Sequence, residues 1–523
     1  MQNMKTGRHK IIKSLTAFVF AAALALTGTV PSFAEESHFD GAPDAPDVSA
    51  EAYIVMDAGS GEVLCEKNGE EQRDPASVTK VLNFLVCLDT LDFDEVITVD
   101  RQPDNTPSTM HLQKGETIKI EDLIYCMMLS SNNDAAEELG YLAGGNMETF
   151  SSMMNEKAAE LGATNTKYKN PNGLNPDSVN NLTTPRDIAV VMSAAMKDER
   201  FRTVVGTKEH LIPETNKYKA RKAQTSNKCL WDQSKIDELA AMERDVKENP
   251  PQYYVVDELT GETQMTPESR ARVKKLNKLR KKTRYMVEGC IGGKTGWTST
   301  AGGCYTGYVT RDNMDVVIAL MGSTDKPTRF KDAKKLWDYA YENFDSYTAE
   351  ETGKTLGELK VKRGSLREVN IGIPYDLKVT TLKGADVSKT VTTEMKLDEE
   401  KIMAPVKKGQ VVGQLIAYDN GVEVAHQDLI SLETAKEGGP LSYIGIADED
   451  VPIFLILVGL AVLTLILIIL LARASRRNKK RRIEAAENRE VLEQEDAEIM
   501  AVIKADLGET EPEEVEDGDS GEY

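Results

Sequence analysis

Residues 74–80 read DPASVTK, and the three-residue step from Ser77 to Lys80 decides which kind of domain this chain builds. Pro75 suits the first turn of a helix, Asp74 or the residues just before it can cap that turn, and the apolar run VLNFLV follows. On such a helix Ser77 and Lys80 lie one turn apart on the same face, close enough for their side chains to touch. A serine hydroxyl is a weak nucleophile until a base takes its proton, and lysine serves as that base when partial burial or a nearby cation leaves its amine neutral. The helix start would add free backbone N–H groups near the reacting oxygen. Alone, S-x-x-K is weak evidence, because a capping serine followed by an exposed lysine is the commoner case.

Two further elements change that. Ser131-Asn132-Asn133 follows EDLIYCMML and precedes DAAEELG, which puts a hydroxyl and a carboxamide on a loop between helices, able to pass a proton and hold a peptide amide. Lys294-Thr295-Gly296 follows Gly292-Gly293 and opens KTGWTSTAGGCYTGYV, a segment with the composition of a hairpin. A lysine and a threonine on such a strand can bind a substrate carboxylate, and the glycine lets a substrate backbone approach. Histidine is scarce by comparison: His9, His38, His111, His210 and His426 show no nucleophile-elbow or metal-binding context, so a serine hydrolase here would depend on lysine.

The ends of the chain decide its compartment. Lys5, Arg8, Lys10 and Lys13 precede an apolar stretch over residues 15–26, and Ser32-Phe33-Ala34 has the small-x-small pattern of a cleavage site, which predicts a signal peptide over residues 1–34. Residues 453–472 hold Thr464 as their only polar side chain and no charge, enough as a helix to cross a hydrocarbon core about 30 Å thick. Asp448, Glu449 and Asp450 lie upstream, whereas seven basic residues between Arg473 and Arg482 lie downstream, which orients a span over residues 451–472 with the tail, residues 473–523, in the cytoplasm. A formal net charge of −21 argues against a nucleic-acid partner. The six cysteines are too widely spaced for a zinc or C-x-x-C signature; several sit in apolar runs as small buried hydrophobes, with disulfides the alternative in an exported domain.

Between the ends, residues 49–347 mix β-rich runs such as AYIVMDA and DVVIALMG with helical stretches over residues 121–139 and 185–196, which predicts one α/β (α+β) domain. Residues 232–286 interrupt it with high charge, Pro250-Pro251 and nine basic residues from Arg270 to Arg284. This insertion reads as a solvated helical excursion, ahead of a surface for anionic wall polymers. Residues 353–435 change to short alternating strands with an Asn420-Gly421 hairpin signal, a small all-β module between the first domain and the span.

In the order S-x-x-K, S-x-N, K-T-G, the three motifs are the set of penicillin-binding proteins and class A β-lactamases. The sequence closely resembles the exported D-alanyl-D-alanine carboxypeptidases, the low-molecular-mass penicillin-binding proteins. The likeness runs through DAGSGEVLCEKNGEEQRDPASVTK, LQKGETIKIEDLIYCMMLSSNNDAAEELG, MNEKAAELGATNTKYKNPNGL, TTPRDIAVVM and IGGKTGWTSTAGG, and MAPVKKGQVVGQL looks like the family's C-terminal domain. The resemblance implies a β-lactamase/DD-peptidase-like catalytic domain with an antiparallel sheet flanked by helices, then a small all-β domain and one transmembrane helix. It implies that Ser77 attacks the penultimate D-alanine of a peptidoglycan stem peptide and forms an acyl-enzyme, with Lys80 as general base and Ser131 relaying protons. Asn133 would hold the substrate backbone, Lys294, Thr295 and Gly296 would form the carboxylate-binding strand, and the N–H groups of Ser77 and Trp297 would make the oxyanion hole. Arg329, in TRFKDAKKLWDYAY, matches a family arginine that binds the same carboxylate. β-Lactams would be covalent inhibitors, and no metal or organic cofactor is needed. The insertion, the spanning anchor with its tail and the bulky Trp297 depart from the usual pattern. Two other readings stay open: a membrane-anchored β-lactamase, and a non-enzymatic sensor of penicillin or wall peptide.

Overall fold

The computed structural model describes residues 42–104, 106–174, 181–257 and 261–506. The expected signal peptide over residues 1–34 lies outside them, as do residues 507–523 of the tail. The described chain falls into two compact units. Within the described residues, the first draws on 42–354, Gly372–Asp398 and Val411–Ile430, the second on Thr355–Ile371, Glu399–Gln410 and 431–506.

The two apolar runs form strands at the middle of the first unit. β1 (Ala52–Asp57) and β2 (Val63–Lys67) join β3 (Cys290–Thr298), β4 (Gly302–Arg311) and β5 (Met314–Ser323) in one antiparallel sheet of order β2-β1-β5-β4-β3. Successive strand side chains point to opposite faces. Ile54 and Met56 of β1 enter one core with Val317, Ala319 and Met321 of β5, while Tyr53 and Val55 enter another with Val316, Ile318 and Leu320. Both faces of the sheet are therefore covered, which is why these strands read as unbroken apolar runs instead of an alternation.

The first core is completed by α1 (Lys80–Thr90), α2 (Ile120–Leu129), α3 (Asn133–Gly144) and α4 (Pro185–Ala195). α4 starts where the sequence signals a start, with the Thr184 hydroxyl accepting the N–H of Asp187 at 3.1 Å and Pro185 in the first turn. The helical stretch expected over residues 121–139 is broken between α2 and α3, where Ser131 takes a left-handed φ of +61°. Within the insertion, α5 (Gln233–Glu248) and α6 (Pro267–Thr283) are linked by exposed pairs such as Arg280–Glu243 at 2.8 Å, with a small strand pair between them that the sequence reading did not anticipate. The N–H of Val287 donates to Cys229 O and that of Trp231 to Cys290 O, so the excursion leaves and returns at adjoining points. On the other face of the sheet lies α7 (Thr328–Asn343), whose Trp337 is fully buried and donates to Val316 O. All six cysteines are buried and unbridged, as small hydrophobes.

From Phe344 to Ser431 the chain is built of strands and loops. Asn420 (φ +49°) and Gly421 (φ +81°) make the hairpin turn that the Asn-Gly pair predicts. In the second unit, Gly357–Lys362 pairs antiparallel with Glu368–Gly372 and parallel with Lys401–Met403. The same unit ends in α8 (Val451–Asp506), one helix that carries the apolar run and continues through the basic segment into the tail. Its apolar residues are exposed on every side, as expected of a surface that lipid would cover.

Candidate active site

Ser77 sits on a tighter turn than its spacing suggested. Asp74 Oδ1 accepts the N–H of Ala76 at 2.8 Å, Ala76 takes a left-handed φ of +47°, and Ala76–Thr79 form a 3₁₀ turn, with α1 beginning only at Lys80. Side chains three apart on a 3₁₀ turn eclipse each other. Lys80 Nζ consequently lies 3.0 Å from Ser77 Oγ. A non-glycine residue in the left-handed region persists only where its surroundings hold it there. Two glycines from distant segments do so: a Cβ on Gly173 would fall 1.9 Å from Ala76 O, and one on Gly296 would fall 2.7 Å from Pro75 O and 3.1 Å from Ser77 N. The glycine of K-T-G was expected to admit a substrate backbone; the structure shows that it also admits the chain's own serine turn.

Lys80 is fully buried and held from three sides. Besides Ser77 Oγ, its Nζ contacts Asn133 Oδ1 at 2.6 Å and the main-chain oxygen of Asn172 at 2.7 Å. Asn133 Nδ2 donates to Pro107 O at 2.6 Å, an oxygen that can only accept, so the amide is oriented with its own oxygen toward the lysine. Burial, and next to it the positive charge of Lys294, push the Lys80 amine well below the usual lysine range. Asn133 was expected to hold a substrate backbone; its amide oxygen faces Lys80, and one of its two Nδ2 N–H groups goes to Pro107 O.

Lys294 is also buried, at 1 % exposure, and its Nζ donates to Ser131 Oγ at 2.9 Å and to Thr295 O at 2.9 Å. Burial and the neighbouring Arg329 charge lower its pKa to about 7. The contacts link S-x-x-K to S-x-N through Lys80 and Asn133, and S-x-N to K-T-G through Ser131 and Lys294, so residues up to 217 positions apart form one polar cluster (294 − 77). The Thr295 hydroxyl shares a 2.6 Å hydrogen bond with Ser226, a residue the motif reading missed. Arg329 Nη1 donates to Gly296 O at 2.5 Å, a grip on the strand that the sequence did not suggest. Trp297 is 45 % exposed, with Lys326 Nζ 4.5 Å above its ring. The described histidines serve elsewhere, His210 pairing with Asp122 at 2.6 Å while stacked on Tyr125.

Comparison with known proteins finds two family matches along the chain. Residues 40–240 match the family described as "D-alanyl-D-alanine carboxypeptidase", and residues 344–437 match "Penicillin-binding protein 5, C-terminal domain". The chain is 24 % identical over 401 residues to the D-alanyl-D-alanine carboxypeptidase DacF of Bacillus subtilis, covering 76 % of this chain and 88 % of that one. It is 28 % identical over 408 residues to DacC of Escherichia coli, covering 76 % and 86 %. In fold it resembles penicillin binding protein 5 of Haemophilus influenzae, with a TM-score of 0.51 at 23 % identity over 76 % of this chain and all of that one.

Proposed function

This chain belongs to the D-alanyl-D-alanine carboxypeptidase family, and from that premise we propose that it removes the terminal D-alanine of peptidoglycan stem peptides through an acyl-enzyme on Ser77. The observation that carries the proposal is the setting of Lys80. A neutral amine has two N–H donors and one lone pair. Asn133 Oδ1 and Asn172 O can only accept, so they take the two N–H groups, and the lone pair is left for the Ser77 hydroxyl proton.

In this reading Ser77 Oγ bonds to the carbonyl carbon of the penultimate D-alanine while its proton passes to Lys80 Nζ. The oxyanion lies against the N–H groups of Ser77 and Trp297. Collapse breaks the C–N bond as the proton held on Lys80 passes by way of Ser131 to the departing D-alanine nitrogen, which leaves Lys80 neutral again. Water then adds to the ester and gives a proton to Lys80, and Lys80 hands it to Ser77 Oγ as the shortened peptide leaves. Lys294 and Thr295, the latter oriented by Ser226, hold the substrate's terminal carboxylate. Arg329 acts there through its charge and its grip on Gly296 O, and Asn133 positions Lys80 with its oxygen and holds the substrate backbone with its second N–H. β-Lactams acylate the same serine.

The proposed organisation is a catalytic domain over residues 49–347 with its insertion at 232–286, the β domain over 353–435, and an anchor over 451–472. Signal peptide and flanking charge support export, with the catalytic domain outside and the basic tail inside. The test is D-alanine release from diacetyl-Lys-D-Ala-D-Ala by the full-length chain, with benzylpenicillin as inhibitor. Release that penicillin blocks, lost with its covalent labelling in Ser77→Ala, is expected. Rapid penicillin hydrolysis without release would make the chain a β-lactamase, and stable acylation without turnover of either compound would make it a sensor.

A further inference from the structure

A cavity of about 530 Å³ lies within the second unit, walled by the strands Gly357–Lys362 and Lys401–Met403 and by the 3₁₀ turn Pro440–Ile444. Lys360, Lys362, Arg363, Arg367 and Lys401 line it, and no carboxylate does. Five cations are thus gathered in a chain whose formal net charge is −21. The grouping makes a local positive surface that suits a ligand of opposite sign. Among the described residues, the ion pairs of these five are limited to Arg367 with Glu368 at 3.8 Å. The Arg363 guanidinium instead lies 5.0 Å over the Tyr443 ring. Arg363 also takes a left-handed φ of +57°, a backbone state rare for a non-glycine and concentrated at ligand sites.

What surrounds the cavity points to the source of the anion. Tyr443, Ile444 and Met403 stand beside it at 62 %, 72 % and 50 % exposure. An aromatic ring and an aliphatic chain projecting beside basic groups are the pattern of a membrane interface. Ala447 also lines the cavity, and the apolar run of α8 begins only six residues later, at Ile453. At helical rises that interval spans about 10 Å. With the apolar run in the hydrocarbon core, the cavity lies no more than about 10 Å from that core, within reach of long lysine and arginine side chains for a headgroup layer about 5–7 Å deep. Between them, Asp448 and Glu449 accept the N–H groups of Gly439 at 2.8 Å and Arg367 at 2.7 Å, tying the helix entrance to the cavity loop.

We infer that this cavity binds the phosphate of an anionic phospholipid headgroup, with Tyr443 and Ile444 seated in the interface beside it. Lysines act as point charges toward a phosphate and arginines as forks, and an anionic leaflet supplies the phosphate at the right depth.

The test uses the full-length chain in neutral detergent, titrated with short-chain phosphatidylglycerol, short-chain phosphatidylcholine or inorganic phosphate and read by native mass spectrometry and Tm. Phosphatidylglycerol is expected to add as one tight adduct that raises Tm. Lys360→Gln/Arg363→Gln/Lys401→Gln is expected to weaken it about tenfold or more, with D-alanine release from the small peptide unchanged. Should that variant not fold, Tyr443→Ser/Ile444→Ser, confined to exposed side chains, carries the test and is expected to lose retention as well. Equal retention of phosphatidylcholine, or of phosphatidylglycerol by wild type and variant, overturns the inference. Displacement of the lipid by millimolar phosphate or by soluble poly(glycerol phosphate) also overturns it, assigning the cavity to a free phosphate or a wall polymer.

Discussion

Lys80 and Lys294 in the cleft, and Lys360, Lys362 and Lys401 around the cavity of the β module, place the same side chain in opposite settings. The first two are 0 % and 1 % exposed and contact amide, hydroxyl and main-chain oxygens. The other three are exposed. Burial without a carboxylate in hydrogen-bond contact works against the ammonium and leaves an amine that can take a proton. Exposure beside other cations leaves a charge that can only attract an anion. Burial therefore favours the neutral amine in the cleft and exposure keeps the full charge in the β module, although the residue type is unchanged.

The strongest way to break this comparison is Lys80→Arg, which keeps positive charge and hydrogen bonding but cannot yield a neutral base. Acylation of Ser77 by benzylpenicillin, followed by intact mass, should slow about 10³-fold or more, the scale of a lost general base. A variant that acylates within tenfold of wild type would show that a buried positive charge is enough. Next comes Gly296→Ala, which drives a methyl into Pro75 O and Ser77 N. Displacing the nucleophile's turn by a fraction of an ångström should cost about 10²-fold in acylation, with a lowered Tm. Unchanged kinetics would mean that the turn does not need that strand behind it.

Stability against pH sharpens the comparison further. Lys294 keeps its proton up to the ordinary 10.5 in the unfolded chain and up to about 7 in the folded one. Between those values the unfolded chain binds more protons, so this group makes stability rise as pH goes from 7 toward 10.5, whereas below 7 the folded state bears the full cost of a buried cation. Lys294→Met should flatten the rise of Tm over that window relative to wild type. Parallel profiles would remove the argument from burial. The smallest effect is expected of the insertion, whose charges are mostly exposed, Asp232 with its Lys208 partner excepted, and whose ends meet through the Val287–Cys229 and Trp231–Cys290 hydrogen bonds. Replacing residues 232–286 by a short linker should leave small-peptide turnover within about twofold, since exposed ion pairs contribute little. A collapse of activity would make those helices part of the catalytic scaffold.

The candidate site was legible where it rests on residue type in a short motif. Ser77, Lys80, Ser131, Asn133, Lys294 and Thr295 could be named as candidates because a hydroxyl, an amine and a carboxamide in that order suit acyl transfer, and the fold brings them together. Asn172 escaped notice because it contributes a main-chain oxygen, which any residue possesses. Ser226 escaped because its only mark is a hydrogen bond to a threonine 69 positions away. Gly173 supports the serine turn by lacking a Cβ, and that absence means something only once Ala76 O is seen against it.

By itself the sequence determined the order of the three motifs, the apolar runs that become β1 and β5, the Asn-Gly hairpin and the exposed apolar helix, because each is a matter of local residue type and periodicity. Only the tertiary structure decided that the serine turn is 3₁₀ with a strained Ala76, that Asn133 faces Lys80 with its oxygen, and that two lysines are buried deeply enough to hold their protons far less tightly than an exposed lysine does. These properties arise from segments as distant as Pro75 and Gly296 closing on one another. Desolvation and close approach depend on everything that surrounds an atom, and those surroundings are assembled only when the chain folds.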